Sequence, residues 1–321
     1  MRLISTIVIL LACLCNIINC SGQIDQFFMM TKFGMFFSFN TTTGQLITNQ
    51  NTKSGDKYFF YAAVDSNSTT NTVTFLGTDK TDRNDYLIEY NIEHNNFTNL
   101  QGIEGQYGGF EWSQIFAYDP VHNFAALPSI VMNEQEANLT IFVWNFTSQE
   151  LEEITLPTGS LNQNDMTPVA SYDIETGNYY IVYCLANPKI LYLVVYNMLS
   201  RKIVQDPIAF DIYIPTPQIV FAAGKLFLIN TYPMQNYEIY NVDVTAKTVT
   251  PAYTIANSWT TNQGSDFDMV IGQKGTSIVL FSHSKLAYTC TTIDLETMSF
   301  HASPSYQTDI KFGYEWVSGA I

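Results

Sequence analysis

Short runs of Val, Ile, Phe, Tyr and Thr, each broken by a polar turn, recur along this chain. No long stretch carries the three-to-four spacing of an amphipathic helix. One phrase returns six times: strand-forming residues, then Asn or Asp, a few polar residues, and a second strand. It reads "FFSFNTTTGQLI", "LIEYNIEHNNFTNL", "IFVWNFTSQELEEI", "LVVYNMLSRKIV", "YEIYNVDVTAKTV" and "CTTIDLETMSF". Its pivots are Asn40, Asn91, Asn145, Asn197, Asn241 and Asp294, spaced 51, 54, 52, 44 and 53 residues apart. Asn or Asp suits the pivot because its side chain can hydrogen-bond backbone two residues on.

A second hairpin phrase lies between these, as in "YAAVDSNSTTNTVTFLG", "VASYDIETGNYYIVYCL" and "IVFAAGKLFLINT". Each period of about fifty residues therefore holds four short strands, A to D, with little room for anything else. Six such units without helix predict an all-β chain, a six-bladed β-propeller of four-stranded blades, and the whole chain after residue 22 resembles that superfold. "YDPVHNF" and the doublet Gly108–Gly109 resemble kelch repeats, although the doublet does not recur in every blade. The Asp-box of sialidases and a WD series are absent, so no finer family is assigned.

The second hairpin is complete only five times. "QIDQFFMMTKFGMFFSFN" opens the first blade without an innermost strand, and the closing "KFGYEWVSGAI" supplies it. "GFEW" (109–112) and "GYEW" (313–316) are then the same approach to an innermost strand. Blades are expected at 27–50 plus 311–320, then 58–100, 113–157, 167–206, 217–251 and 267–303.

Residues 1–22, "MRLISTIVILLACLCNIINCSG", read as a secretory signal: a basic Arg2, an apolar run too short for a membrane span, and small residues at the cut. Cleavage is expected after Gly22, with Cys20 as the alternative. "LLAC" at 10–13 leaves a lipoprotein box open. Residues 23–321 form one propeller domain, expected to be secreted and monomeric with no membrane span. The formal net charge is −15, and only Arg83 and Arg201 remain after the signal, which excludes a nucleic-acid surface. Cys184 and Cys290 fall in blades four and six, too far apart to pair, so no disulfide is expected and both thiols are read as buried and unpaired.

Propeller ligands tend to sit on the face made by the D-to-A and B-to-C loops. Here the starts of the innermost strands carry Asp56, Glu111, Asp165, Asp268 and Glu315, with Trp112 and Trp316 beside them. From these, Glu111, Trp112, Asp165, Asp268, Glu315 and Trp316 are the candidate ligand-binding residues. A carboxylate ring suits Ca²⁺ or a cationic ligand, and Trp beside amides suits sugar rings. The plain alternative is that strands begin polar because they emerge from water, with the Trp side chains wedged between blades. No cofactor is required, Ca²⁺ is possible, and no metal ligand set is assigned.

Five N-glycosylation sequons occur, at Asn40, Asn67, Asn96, Asn138 and Asn145. Four fall in A–B or C–D turns, opposite the candidate face, and Asn138 is expected in a B-to-C loop. "DKTDRNDY" reads as a solvated B-to-C loop carrying Asp79, Asp82 and Asp85. His94, His122, His283 and His301 show no metal-ligand spacing, and no nucleophile elbow or phosphate loop is present. The expectation is a secreted glycoprotein that recognises an extracellular glycan or protein. The alternatives are a carboxylate- or Ca²⁺-dependent hydrolase or lyase on a sugar-like substrate, and a coat or matrix component. Catalysis is the less favoured reading, and no catalytic residue is assigned.

Overall fold

The computed structural model describes residues 26–31, 34–52, 57–67, 69–104, 117–133, 136–156, 168–185, 189–214, 217–230, 236–256, 268–283, 287–307 and 316–320. The signal-sequence reading lies outside them. The described residues form twenty-five strands and no helix.

The first blade contains β1 (Gln26–Thr31), β2 (Met35–Asn40) and β3 (Leu46–Asn51). The second contains β4 (Tyr58–Asn67), β5 (Thr72–Asp79), β6 (Asn84–Asn91) and β7 (Asn96–Ile103). The third contains β8 (Ala117–Asp119), β9 (Phe124–Asn133), β10 (Glu136–Asn145) and β11 (Glu150–Thr155). The fourth contains β12 (Val169–Asp173), β13 (Asn178–Leu185), β14 (Ile190–Asn197) and β15 (Lys202–Phe210). The fifth contains β16 (Pro217–Ala222), β17 (Lys225–Asn230), β18 (Tyr237–Asp243) and β19 (Thr248–Ile255). The sixth contains β20 (Asp268–Lys274), β21 (Ser277–His283), β22 (Ala287–Asp294), β23 (Ser299–Ala302) and β24 (Tyr306–Gln307), the last two pairing with successive parts of β22.

The last strand, β25 (Trp316–Ala320), runs antiparallel to β1, with Phe27 opposite Ala320 and Thr31 opposite Trp316. It completes the first sheet in the order β25-β1-β2-β3. Six antiparallel sheets thus form the ring of a six-bladed β-propeller, with β25, β4, β8, β12, β16 and β20 innermost.

Successive residues of a strand point to opposite sheet faces. In β1, Phe27 and Met29 pack toward the sixth blade, and Phe28 and Met30 toward the second. Both faces are covered, so the strand is a continuous apolar run. The core is accordingly six clusters, one in each seam between neighbouring blades.

The seam between blades six and one is aromatic. Phe281 stacks on Phe27 with centroids 5.3 Å apart and meets Phe39 at 4.7 Å and Tyr288 at 5.5 Å. Cys290 is buried in the same seam, and Cys184 in that between blades four and five, where its thiol donates to the Ile214 carbonyl. Both thiols are free. Burial pushes Cys184 up to about 11 and Cys290 up to about 12, so neither forms thiolate near neutral pH.

Most of the described turns share one geometry. Ten of them begin with Asn or Asp, whose side-chain oxygen accepts a backbone N–H two or three residues on: Asn40, Asn67, Asp79, Asn91, Asp119, Asn145, Asp173, Asn197, Asp243 and Asp294. Four residues after each stands a residue in the left-handed region, from Gly44 (φ 74°) to Met298 (φ 53°). In the fifth blade the cap is Asp243, not the expected pivot Asn241, because β18 runs two residues further before it turns. Measured to Asp243 the interval is 46 residues instead of 44, so the fifth blade remains the short one of the repeat.

Candidate ligand-binding face

Every innermost strand leaves the same rim of the ring, and the B-to-C hairpins open onto that rim as well. This loop rim is where the expected site lies. Glu111, Trp112, Asp165 and Glu315 lie outside the described residues, as does Asp56. Asp268 begins β20 opposite His283, and Trp316 begins β25 opposite Thr31, so both stand at strand starts on the loop rim. β20 and β25 are neighbours in the ring, and among the described residues no group of three His, Cys, Asp or Glu is placed to hold a metal ion.

The best-defined part of the rim is the second blade. Lys57, just before β4, places its ammonium 2.5 Å from Asp79 at the end of β5. Asp79 also accepts the Thr81 N–H (2.9 Å) and the Asn99 amide (3.4 Å), and Tyr58 donates to Asn99 at 2.9 Å. Burial alone would raise the Asp79 carboxyl; the Lys57 ammonium and the Thr81 and Asn99 donors outweigh it and hold the group below its ordinary value. The hydrogen bond to Asp79 in turn raises Lys57.

Asp85, at the start of β6, is buried and faces the third blade. One carboxylate oxygen accepts the Thr78 hydroxyl at 2.6 Å and the Tyr61 hydroxyl at 3.2 Å, and the other accepts the Trp144 indole N–H at 2.8 Å. The Tyr61 and Thr78 hydroxyls lie against each other as well. Burial and the neighbouring Asp85 charge push the Tyr61 phenol far up. Of the three acids expected in a solvated loop, only Asp82 is exposed, where it accepts the Tyr86 hydroxyl at 2.7 Å. The loop expectation is corrected for Asp79 and Asp85: both are buried, and partners from distant positions, Lys57 and Asn99 for Asp79 and Tyr61 and Trp144 for Asp85, are signalled by no local pattern.

Elsewhere on this rim, Lys189 lies over the Tyr213 ring at 4.9 Å. Glu238, near the start of β18, accepts from Asn230 at 3.3 Å and from the Tyr240 hydroxyl at 2.7 Å. Tyr86, Tyr213 and Tyr240 on this rim each therefore have a charged partner. Asp119, at the opposite rim, is a cross-blade staple. It accepts the Tyr172 hydroxyl of the next blade at 2.7 Å and the His122 ring at 2.9 Å. Burial works against this carboxylate, but the donors from His122 and Tyr172 hold it below the ordinary range.

The sequons divide between the rims. Asn40 and Asn145 end β2 and β10, Asn67 ends β4, and Asn96 begins β7, all at the turn rim. Asn138 does not lie in a loop: it is the third residue of β10, paired with Val131 near the loop rim. The β9–β10 hairpin is longer than the repeat suggests, and its extra length takes in the sequon.

Compared by sequence, the chain matches no protein-family model and no curated protein. Among solved structures it is similar to TolB from Acinetobacter baumannii, with a TM-score of 0.52 and 10% identity over 92% of this chain and 66% of that one. A puromycin hydrolase gives a TM-score of 0.47 at 9% identity, covering 89% of this chain and 53% of that one. Luciferin-regenerating enzyme gives 0.44 at 11%, covering 78% and 77%. The chain thus spans about two thirds of TolB and about half of the hydrolase. At these identities the likeness is one of fold, and the activities of these proteins stay with them.

Proposed function

We propose that this protein is a secreted recognition propeller that binds an extracellular ligand, a glycan or another protein, through its loop rim. The observation that carries the reading is the division of the sequons: four of five stand on the turn rim, and Asn138 alone stands near the opposite one. The chemistry of that rim supports it. Tyr86 with Asp82, Tyr213 under Lys189 and Tyr240 with Glu238 combine an aromatic face with a polar partner, the pairing that suits both sugar rings and protein surfaces. Asp79, Asp82, Asp85 and Glu238 on this rim each accept internal hydrogen bonds, which suits a binding role better than acid–base chemistry.

The test is a sugar wedge. Replacing Asp82 by Asn together with Asn84 by Thr creates a sequon at the exposed tip of the loop rim. Secreted wild-type and wedge proteins are compared on immobilised glycans and on extracellular-matrix fractions. Binding by the wild type that the wedge abolishes supports the reading. Binding that ignores the wedge but fails when turn-rim residues are changed would transfer the ligand to the other rim.

A further inference from the structure

Not all five sequons are equivalent once folded. We propose that N-linked sugar is confined to one rim, with Asn40, Asn67, Asn96 and Asn145 modified and Asn138 bare. This rests on the secretion reading above and adds to it a rule for which sites are used.

Asn67 and Asn96 are exposed, and Asn40 and Asn145 are half-exposed at turn starts. In three of the four, the side-chain oxygen is occupied by the turn. Asn40 accepts the Thr43 N–H at 2.7 Å and its hydroxyl at 3.0 Å. Asn67 accepts the N–H groups of Thr69 and Thr70 at 2.9 and 3.2 Å. Asn145 accepts those of Thr147 and Ser148 at 3.0 and 3.1 Å. Glycosylation takes place at the other atom of the amide. The nitrogen Nδ2 bonds to the anomeric carbon of an oligosaccharide carried on a lipid pyrophosphate. The carbon–oxygen bond to phosphate breaks, the lipid pyrophosphate leaves, and one amide proton passes to the transferase. The product keeps its carbonyl oxygen and one N–H, so the turn keeps its cap. Modification and folding ask different atoms of the same side chain.

Asn138 is placed otherwise. It lies inside β10 between fully buried Ala137 and Leu139, and the hydroxyl-bearing residue of its sequon, Thr140, is itself buried. Alternation along β10 puts Leu139 and Ile141 in the seam with the fourth blade. It turns Asn138, Thr140 and Phe142 toward the second blade, where Phe142 packs in the seam with Tyr61 and Leu87. A sugar on Asn138 stands at the mouth of that seam, on the rim proposed to bind ligand. Chains that close the second blade on the third are chains without it.

The experiment uses the full chain, secreted from a eukaryotic cell. Enzymatic release of the glycans in heavy-oxygen water converts each modified Asn to labelled Asp, read by peptide mass spectrometry. Label is expected at Asn40, Asn67, Asn96 and Asn145, with the Asn138 peptide unlabelled. Partial release is expected to give a four-step ladder on a gel. Thr42→Ala, Thr69→Ala, Thr98→Ala and Thr147→Ala, all exposed positions, are each expected to remove one step. Label at Asn138, or any of the four lacking it in secreted protein, overturns the rule while leaving secretion intact. A chain retained inside the cell without sugar overturns the secretion reading and this rule together.

Discussion

Where the sixth blade meets the first, Phe27, Phe39, Phe281 and Tyr288 fill the seam ring against ring. Where the second meets the third, a buried carboxylate gathers Tyr61, Thr78 and Trp144. Both seams hold neighbouring blades together, but they forgive different errors. Stacked rings gain by area removed from water and accept small shifts. A buried carboxylate is tolerated only while its donors are in place, since stranding any of them leaves an unpaired polar group in the core. The first seam joins the two ends of the chain and must assemble from the most distant parts of the sequence, so non-directional contact serves it well. The second fixes one arrangement.

The largest expected effect is at the first seam. Deleting residues 316–320 strips β1 of the inner of its two partners. The truncated chain is expected to lose its cooperative melting transition. A truncated protein that melts with the full chain would show that β25 does not hold the ring.

Next, Phe281→Ala is expected to cost about 4 kcal/mol in urea unfolding, from lost transfer energy and the cavity left behind. Phe281→Leu is expected to cost about 1.5 kcal/mol, because rings can settle onto a smaller neighbour. Asp85→Ala is expected to cost about 3 kcal/mol, and here the conservative change brings little relief. In Asp85→Asn one oxygen becomes an N–H₂ group that faces the donors it should accept, so about 2 kcal/mol is expected to be lost. If Asp85→Asn proved milder than Phe281→Leu, the contrast between the seams would be wrong.

The smallest effect is expected on the loop rim. Lys57→Met is expected to cost about 1 kcal/mol at neutral pH, since the Lys57 head is partly solvated. Its pH dependence has a defined sign. Asp79 is held below its unfolded value, so its contribution is full above that value and fades as pH falls through the folded one. Lys57 is held above its unfolded value, so its contribution is full below that value and fades as pH climbs through the folded one. The stability gap between wild type and Lys57→Met is therefore expected to be flat across neutral pH and to shrink at both extremes. A gap that peaks near pH 6.5 would point to a histidine instead.

What could be read from the residues alone was whatever is local. Asn or Asp at a turn start, apolar runs on either side and a period near fifty are each set within a dozen residues, and they describe the blades almost to their ends. The cap at Asp243 escaped because Asn241 fits the phrase equally well, and only the length of β18 separates them. Asp79 and Asp85 escaped for another reason. Their environment is made by Lys57, Tyr61 and Trp144, the last 59 residues further along the chain. Nothing in "DKTDRNDY" distinguishes the exposed Asp82 from its two buried neighbours. The candidate site was legible only as a place, since a rim is fixed by topology while the groups that converge on it are not.

The inner strands carry a final consequence. In β1 and β13 the interior residues are buried on both sides of the sheet. In a half-solvated sheet a one-residue slip drives apolar groups into water and is rejected at once. Here a slip merely exchanges one greasy seam for another, so oil and water cannot keep the strands in phase. That task falls to the ten side-chain oxygens at the turns, which fix where each strand must stop. The propeller is tuned from its rims, much as a stringed instrument is tuned at its pegs, and a sugar hung on the nitrogen of a peg leaves the pitch unchanged.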